Sequence, residues 1–167
     1  MRISIRSAML RALLGAGLAA SSLLAVGAGT ANATAITCAP LRSVHATFQT
    51  GGDDLRSNSE VIMYLMSTLG DVELQHFYGG FGNNTTNSRD LGLLNPNFTV
   101  DSCAVTGLKI RMISHNGTFQ STDNWNLDAV SVSGYGNDGA YIWYFSKTGS
   151  PLLKRFTGSS QWWQANG

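Results

Sequence analysis

Apolar and polar residues alternate one by one in segment after segment of this chain, and a period of two is met only by extended strands that turn one row of side chains inward. Val44, Ala46 and Phe48 alternate with His45, Thr47 and Gln49; Leu108, Ile110 and Met112 alternate with Lys109, Arg111 and Ile113; Tyr141, Trp143 and Phe145 mark a third such run. Val61 to Met66 is apolar on both faces, which suits a central strand, and Val72, Leu74, Phe77 and Tyr78 suggest a partner for it across the turn at Leu69-Gly70-Asp71. Gly79 to Asn97 is dense in Gly, Asn, Thr and Ser and reads as a long loop. Helical periodicity is nearly absent, so the expected fold is all-β: an antiparallel sandwich first, a closed barrel second. Between Leu127 and Val130 the apolar phase shifts by one, as a bulge that re-aims Asp128 would produce, or a strand covered on both faces.

The first residues follow another pattern. Arg2, Arg6 and Arg11 form a basic start, Leu13 to Val26 is an apolar run broken only by small residues, and Ala31-Asn32-Ala33 is a small-x-small cleavage pattern. Residues 1–33 are therefore expected to be a secretory signal peptide, and 34–167 a single domain that is secreted and extracellular. Ala33-Thr34-Ala35 offers a neighbouring cleavage point. Without the leader, eight Lys and Arg stand against ten Asp and Glu, a net charge near −2, which argues against nucleic acid as a partner. Export also sets the expectation for Cys38 and Cys103, the only two cysteines: in an oxidising compartment they pair as a disulfide.

Two polar loops feed strands. Gly51-Gly52-Asp53-Asp54-Leu55-Arg56-Ser57-Asn58-Ser59-Glu60 precedes Val61, and Ser121-Thr122-Asp123-Asn124-Trp125-Asn126-Leu127-Asp128 precedes Ala129. Such residues make turns, because they tolerate unusual backbone angles. Their crowded carboxylates and amides are also the oxygen donors that hard cations take. Trp162 and Trp163 are adjacent, so in a strand one of them points away from the core, where an indole can meet a membrane interface or a sugar ring. Trp125 is a core or rim residue and a further candidate ligand contact.

No catalytic signature is present. His45, His76 and His115 lack the spacing of a zinc motif and read as surface residues, and there is no Gly-x-Ser-x-Gly elbow and no phosphate loop. A hydrolase built on an Asp or Glu pair stays open, because such pairs are set in space. Asn83, Asn84, Asn97 and Asn116 each begin an Asn-x-Thr triplet; with a bacterial style of leader these mark polar loops.

The order Gly-Asp-Asp at 52–54, Glu60-Val61-Ile62-Met63-Tyr64-Leu65, Leu91-Gly92-Leu93-Leu94, Leu108 to Asn116, Asp123-Asn124-Trp125-Asn126-Leu127-Asp128, and Arg155-Phe156 before Trp162-Trp163 resembles the PLAT module shared by polycystins, lipoxygenases and clostridial alpha-toxin. The resemblance spans about residues 42–163, in a bacterial secreted version. It implies a β-sandwich of about eight strands that binds without catalysing, at a membrane lipid surface or on a secreted protein partner, in some members with calcium. Carried over, Asp53, Asp54, Asn58, Asp123 and Asp128 become candidate calcium ligands, with Trp125, Trp162 and Trp163 as candidate ligand contacts. Asn124 and Asn126 depart from the family pattern, and residues 34–167 are expected to act without the enzyme domain that usually accompanies the module. A carbohydrate-binding module using Trp162 or Trp125 and a small secreted hydrolase are the alternatives.

Overall fold

The structure, a computed structural model, describes residues 37–167; the expected leader at 1–33 lies outside them. Twelve strands follow one another: β1 Pro40–Leu41, β2 Ser43–Thr50, β3 Glu60–Ser67, β4 Val72–Glu73, β5 Phe77–Tyr78, β6 Thr86–Gly92, β7 Val100–Asp101, β8 Val105–Ile113, β9 Trp125–Tyr135, β10 Tyr141–Thr148, β11 Lys154–Phe156 and β12 Trp162–Asn166. Eight of them run three residues or longer, and one turn of 3-10 helix, Ser102–Ala104, precedes β8. No helix among the described residues is long and apolar enough to cross a membrane.

Two antiparallel sheets of five strands form an all-β sandwich. One has the order β10-β9-β2-β6 with β11 also on β9, and the other β12-β8-β3-β4 with β5 also on β3. The alternation seen in the sequence supplies the inner faces. Val44, Ala46 and Phe48 meet Leu108, Ile110 and Met112, together with Val61, Met63 and Leu65, in one buried core. Rings dominate the core at one end, where Phe48 lies 5.9 Å from Trp125 and 5.3 Å from Phe77, and Trp125 stacks on Phe156 at 5.2 Å. Aromatic contacts of this kind add about 1 kcal/mol each beyond the area they bury.

The segment 79–97 is not the continuous loop expected from its composition, because β6 runs through it and pairs with β2 from Thr86↔Gln49 to Gly92↔Ser43. β6 is an edge strand, so backbone pairing and a few inward contacts suffice. Only Leu91 of its residues is buried. Arg89 fills an inward position by laying its guanidinium 4.7 Å from the centre of the Phe81 ring. The phase shift in β9 is a bulge: Gln49 faces Ala129 but Thr50 faces Leu127, so Asp128 is left over in the ladder. A second irregularity, between Tyr141 and Trp143, turns Tyr141 outward while Trp143 and Phe145 stay with the core.

Cys38 and Cys103 form a disulfide across 65 residues of chain. It lies beside the pairing of β1 with β7, at one end of the sandwich.

Candidate functional site

The end opposite the disulfide carries the two polar loops, 51–59 between β2 and β3 and 114–124 between β8 and β9, and they converge. Gly51 N donates to Asn126 O at 2.8 Å and Asn126 N to Asp53 O at 3.1 Å, so the first loop runs along the entry of β9. The segment 79–81 supports it from below: Leu55 bridges Phe81, and Gly79 passes so close that a β-carbon there would stand 2.3 Å from Arg56 O. Only glycine allows that approach.

Asp123 holds the two loops together. It is buried, its Oδ2 accepts from Arg56 N at 3.0 Å and from Ser59 Oγ at 2.5 Å, and its Oδ1 lies 3.3 Å from Arg56 Nε. Asp123 N in turn donates to Ser114 Oγ at 2.8 Å. Both carboxylate oxygens are thus engaged by the protein, and the residue works as a buried clasp. Asn58 donates through its amide to His115 O and to Gln120 Oε1, which seats the 114–122 segment on the first loop. Asp53 pairs with Arg155 at 2.8 Å, and Arg155 also reaches Asn126 Oδ1 at 2.9 Å.

Asp54 and Asp128 are different. Asp54 is exposed, Asp128 is half-buried, and neither carboxylate has an ion pair or hydrogen bond among the described residues. The bulge aims Asp128 over the loop: a β-carbon at Gly51 would stand 2.4 Å from its Oδ1. The rim therefore offers two unengaged carboxylates, the free Oδ1 of Asp53 and the free amide oxygen of Asn58, all hard oxygen donors. They fit calcium by chemistry, though not as a closed cage. Among the described residues, three acidic, His or Cys ligand atoms come within 4.8 Å of one another only at Cys38, Asp101 and Cys103, where the sulfurs are bonded to each other.

Trp125 is fully buried, with Nε1 donating to Thr50 Oγ1 at 3.1 Å, so it belongs to the core and not to a surface contact. Trp163 turns inward and meets Phe145 edge-on at 6.4 Å. Trp162 faces out, on the outer side of the β12-β8-β3-β4 sheet, 47% exposed.

Two features escaped the sequence. Phe119, at the tip of the 114–124 loop, is fully exposed and has φ of 70°, a left-handed backbone that bulky residues seldom adopt. His76 and His115, which read as unrelated surface residues, meet on one carboxylate: His76 Nδ1 lies 2.7 Å from Glu60 Oε1, His115 Nε2 lies 3.0 Å from Glu60 Oε2, and His76 Nε2 lies 2.5 Å from Glu73 Oε1. Both nitrogens of His76 face carboxylates, and both donate only when the ring is protonated. The hydrogen bond to Glu73, then that to Glu60, raises the His76 pKa against the opposing effect of burial. The hydrogen bond from His115, with that from His76, lowers the Glu60 pKa. Exposure of Phe119 has no sequence signal, and neither has the meeting of His76 and His115 on Glu60, which come from separate parts of the chain.

No protein-family model matches the chain, and no curated protein matches it by sequence. Among solved structures it is similar to the alpha toxin of Clostridium absonum, with TM-score 0.52 and 15% identity over 75% of this chain and 31% of that one. It is similar also to the alpha-toxin of an avian strain of Clostridium perfringens, with TM-score 0.51 and 12% identity over 80% of this chain and 33% of that one. A calcium-dependent 11R-lipoxygenase aligns with TM-score 0.41 and 15% identity over 70% of this chain and 17% of that one. The chain spans about a third of the length of each toxin. The fold is thus a PLAT-like β-sandwich.

Proposed function

We propose that the chain is an exported binding module that seats its loop-bearing end on a lipid surface, with calcium taken up at the rim by Asp54 and Asp128. The observation that carries this reading is Phe119: a wholly exposed ring on a left-handed backbone, at the tip of a loop clasped from beneath by the buried Asp123. An unfavourable backbone conformation costs on the order of 1–3 kcal/mol and persists where surrounding contacts enforce it. Here they present an apolar side chain to the outside, and burying a phenylalanine ring regains about 2 kcal/mol. Calcium would bridge the acidic rim to lipid phosphates that residues 34–167, with a net charge near −2, otherwise repel. Asp53 and Asn58 stand by with one free oxygen each, and water completes the shell. The disulfide and the toxin-like fold support an extracellular setting.

Sedimentation with vesicles of phosphatidylcholine and phosphatidylserine tests the reading. Calcium is expected to carry the protein into the pellet, Phe119→Ala to release it, and Asp54→Asn with Asp128→Asn to abolish the calcium requirement or the binding. Absence of pelleting at any calcium level removes the lipid surface. If calorimetry then still records calcium binding, a secreted protein partner takes its place; if it records none, the metal falls too.

A further inference from the structure

Away from the loops, the outer face of the β12-β8-β3-β4 sheet carries a second arrangement that the lipid reading leaves unused. In register across three strands stand Trp162, Arg111 and Ile62, and beside them Gln164, Lys109 and Tyr64. The Trp162 ring lies 5.0 Å from the Arg111 guanidinium carbon, 6.0 Å from Lys109 Nζ and 5.9 Å from the Tyr64 ring. The indole therefore rests on the long side chains of β8 and still keeps 47% of its surface open, as a ring does with one face covered and the other in solvent.

The cations below it differ. Lys109 is paired with Asp71. Arg111 has no ion pair and no hydrogen bond among the described residues, and its Nε is buried without an acceptor. Nε lies beyond a ligand's reach, but the Nη atoms are not closed off in this way, so the guanidinium offers an unneutralised charge at its tip. Its fork matches a carboxylate in two parallel hydrogen bonds.

We propose that this face binds an acidic oligosaccharide, a uronate-bearing glycan, with one pyranose ring stacked on the open face of Trp162 and the carboxylate of an adjoining uronate reaching the tip of Arg111 past the edge of the indole. The C–H groups on one side of a pyranose carry partial positive charge and meet the negative face of an indole. Gln164, exposed in the neighbouring register, and the Tyr64 hydroxyl supply donors and acceptors for ring hydroxyls. The surroundings favour a sugar over lipid, because the side chains flanking Trp162 on this face are polar or charged apart from Ile62, which is buried. The site is independent of the calcium rim.

Affinity electrophoresis through gels containing polygalacturonate, with EDTA present throughout, reads the proposal directly. Wild-type protein is expected to be retarded, and an oligogalacturonate to quench and shift its tryptophan fluorescence. Trp162→Ala should weaken binding about tenfold. Arg111→Lys, which keeps the charge and loses the fork, should weaken it several-fold, and Arg111→Gln more. Phe119→Ala should bind the polyuronate as wild type does, which separates this site from the membrane loop. An unchanged thermal midpoint in the variants shows that they fold, as expected for Trp162 at the surface. No retardation, or equal retardation of Trp162→Ala, overturns the proposal. Equal binding to a neutral glucan removes the role of Arg111, and equal binding to polyglutamate or oligothymidylate replaces sugar recognition by charge; either result overturns it as stated.

Discussion

At one end of the sandwich a covalent bond from Cys38 to Cys103 ties the start of the domain to the turn before β8; at the other, a single buried carboxylate, Asp123, gathers Arg56, Ser59 and Ser114 and so joins two loops that are 64 residues apart. The disulfide acts mainly by restricting the unfolded chain, and its effect does not depend on what surrounds it. Asp123 acts only in the folded state, through geometry, and its worth disappears with any partner. The first device makes an end robust. The second fixes a loop end while leaving Asp54, Asp128 and Phe119 unengaged.

The largest effect that bears on this contrast is loss of the disulfide. Cys38→Ser with Cys103→Ser closes no loop in the unfolded state and should lower stability by about 4 kcal/mol in urea denaturation, while leaving vesicle binding of the folded protein unchanged. Loss of binding along with stability would break the independence of the two ends.

Next comes the clasp. Asp123→Ala strands Arg56 and Ser59 and should cost about 3 kcal/mol. Unlike the cysteine pair, it should also speed hydrogen exchange at residues 55–59 and 114–122 selectively. Uniform acceleration across the sheets would mean that Asp123 is no local clasp.

A smaller effect follows acidity at the loop end. Glu60 has its pKa lowered from 4.5, so its contribution is complete above 4.5 and fades as pH falls through the lower folded value. His76 has its pKa raised from 6.5, so its contribution is complete below 6.5 and fades as pH rises through the higher folded value. Together the pairs stabilise most between those two ordinary values. The melting temperature should therefore fall as pH rises above 6.5, and His76→Ala should flatten that decline. An equal decline in His76→Ala would assign the slope to other groups.

Smallest of all, Asp54→Asn should leave stability within about 0.5 kcal/mol of wild type, since nothing in the fold leans on it. A large loss would show that its carboxylate has a structural partner, and would bring the two ends closer in kind.

Some of the site was legible from the residues and some was not. The bulge at Asp128 announced itself, because an apolar phase that slips between Leu127 and Val130 leaves a trace in the sequence. That Asp123 is buried while Asp54 is exposed left none: both are acidic residues in polar loops, and their fates are set by Arg56 and Ser59 arriving from another strand connection. β6 was hidden for the complementary reason. An edge strand held by its backbone needs few apolar residues, so its composition resembles a loop. The two histidines on Glu60 come from positions 76 and 115, too far apart for any spacing rule.

Alone, the sequence determined the local terms: extended segments, their inward faces, the two cysteines available to pair, and the turn-forming loops between. Tertiary structure alone decided which acids are clasped and which are free, that Trp125 is core while Trp162 faces solvent, and that Phe119 stands outermost. Alternation is written in neighbouring residues, whereas burial and pairing depend on strands brought together across the whole chain.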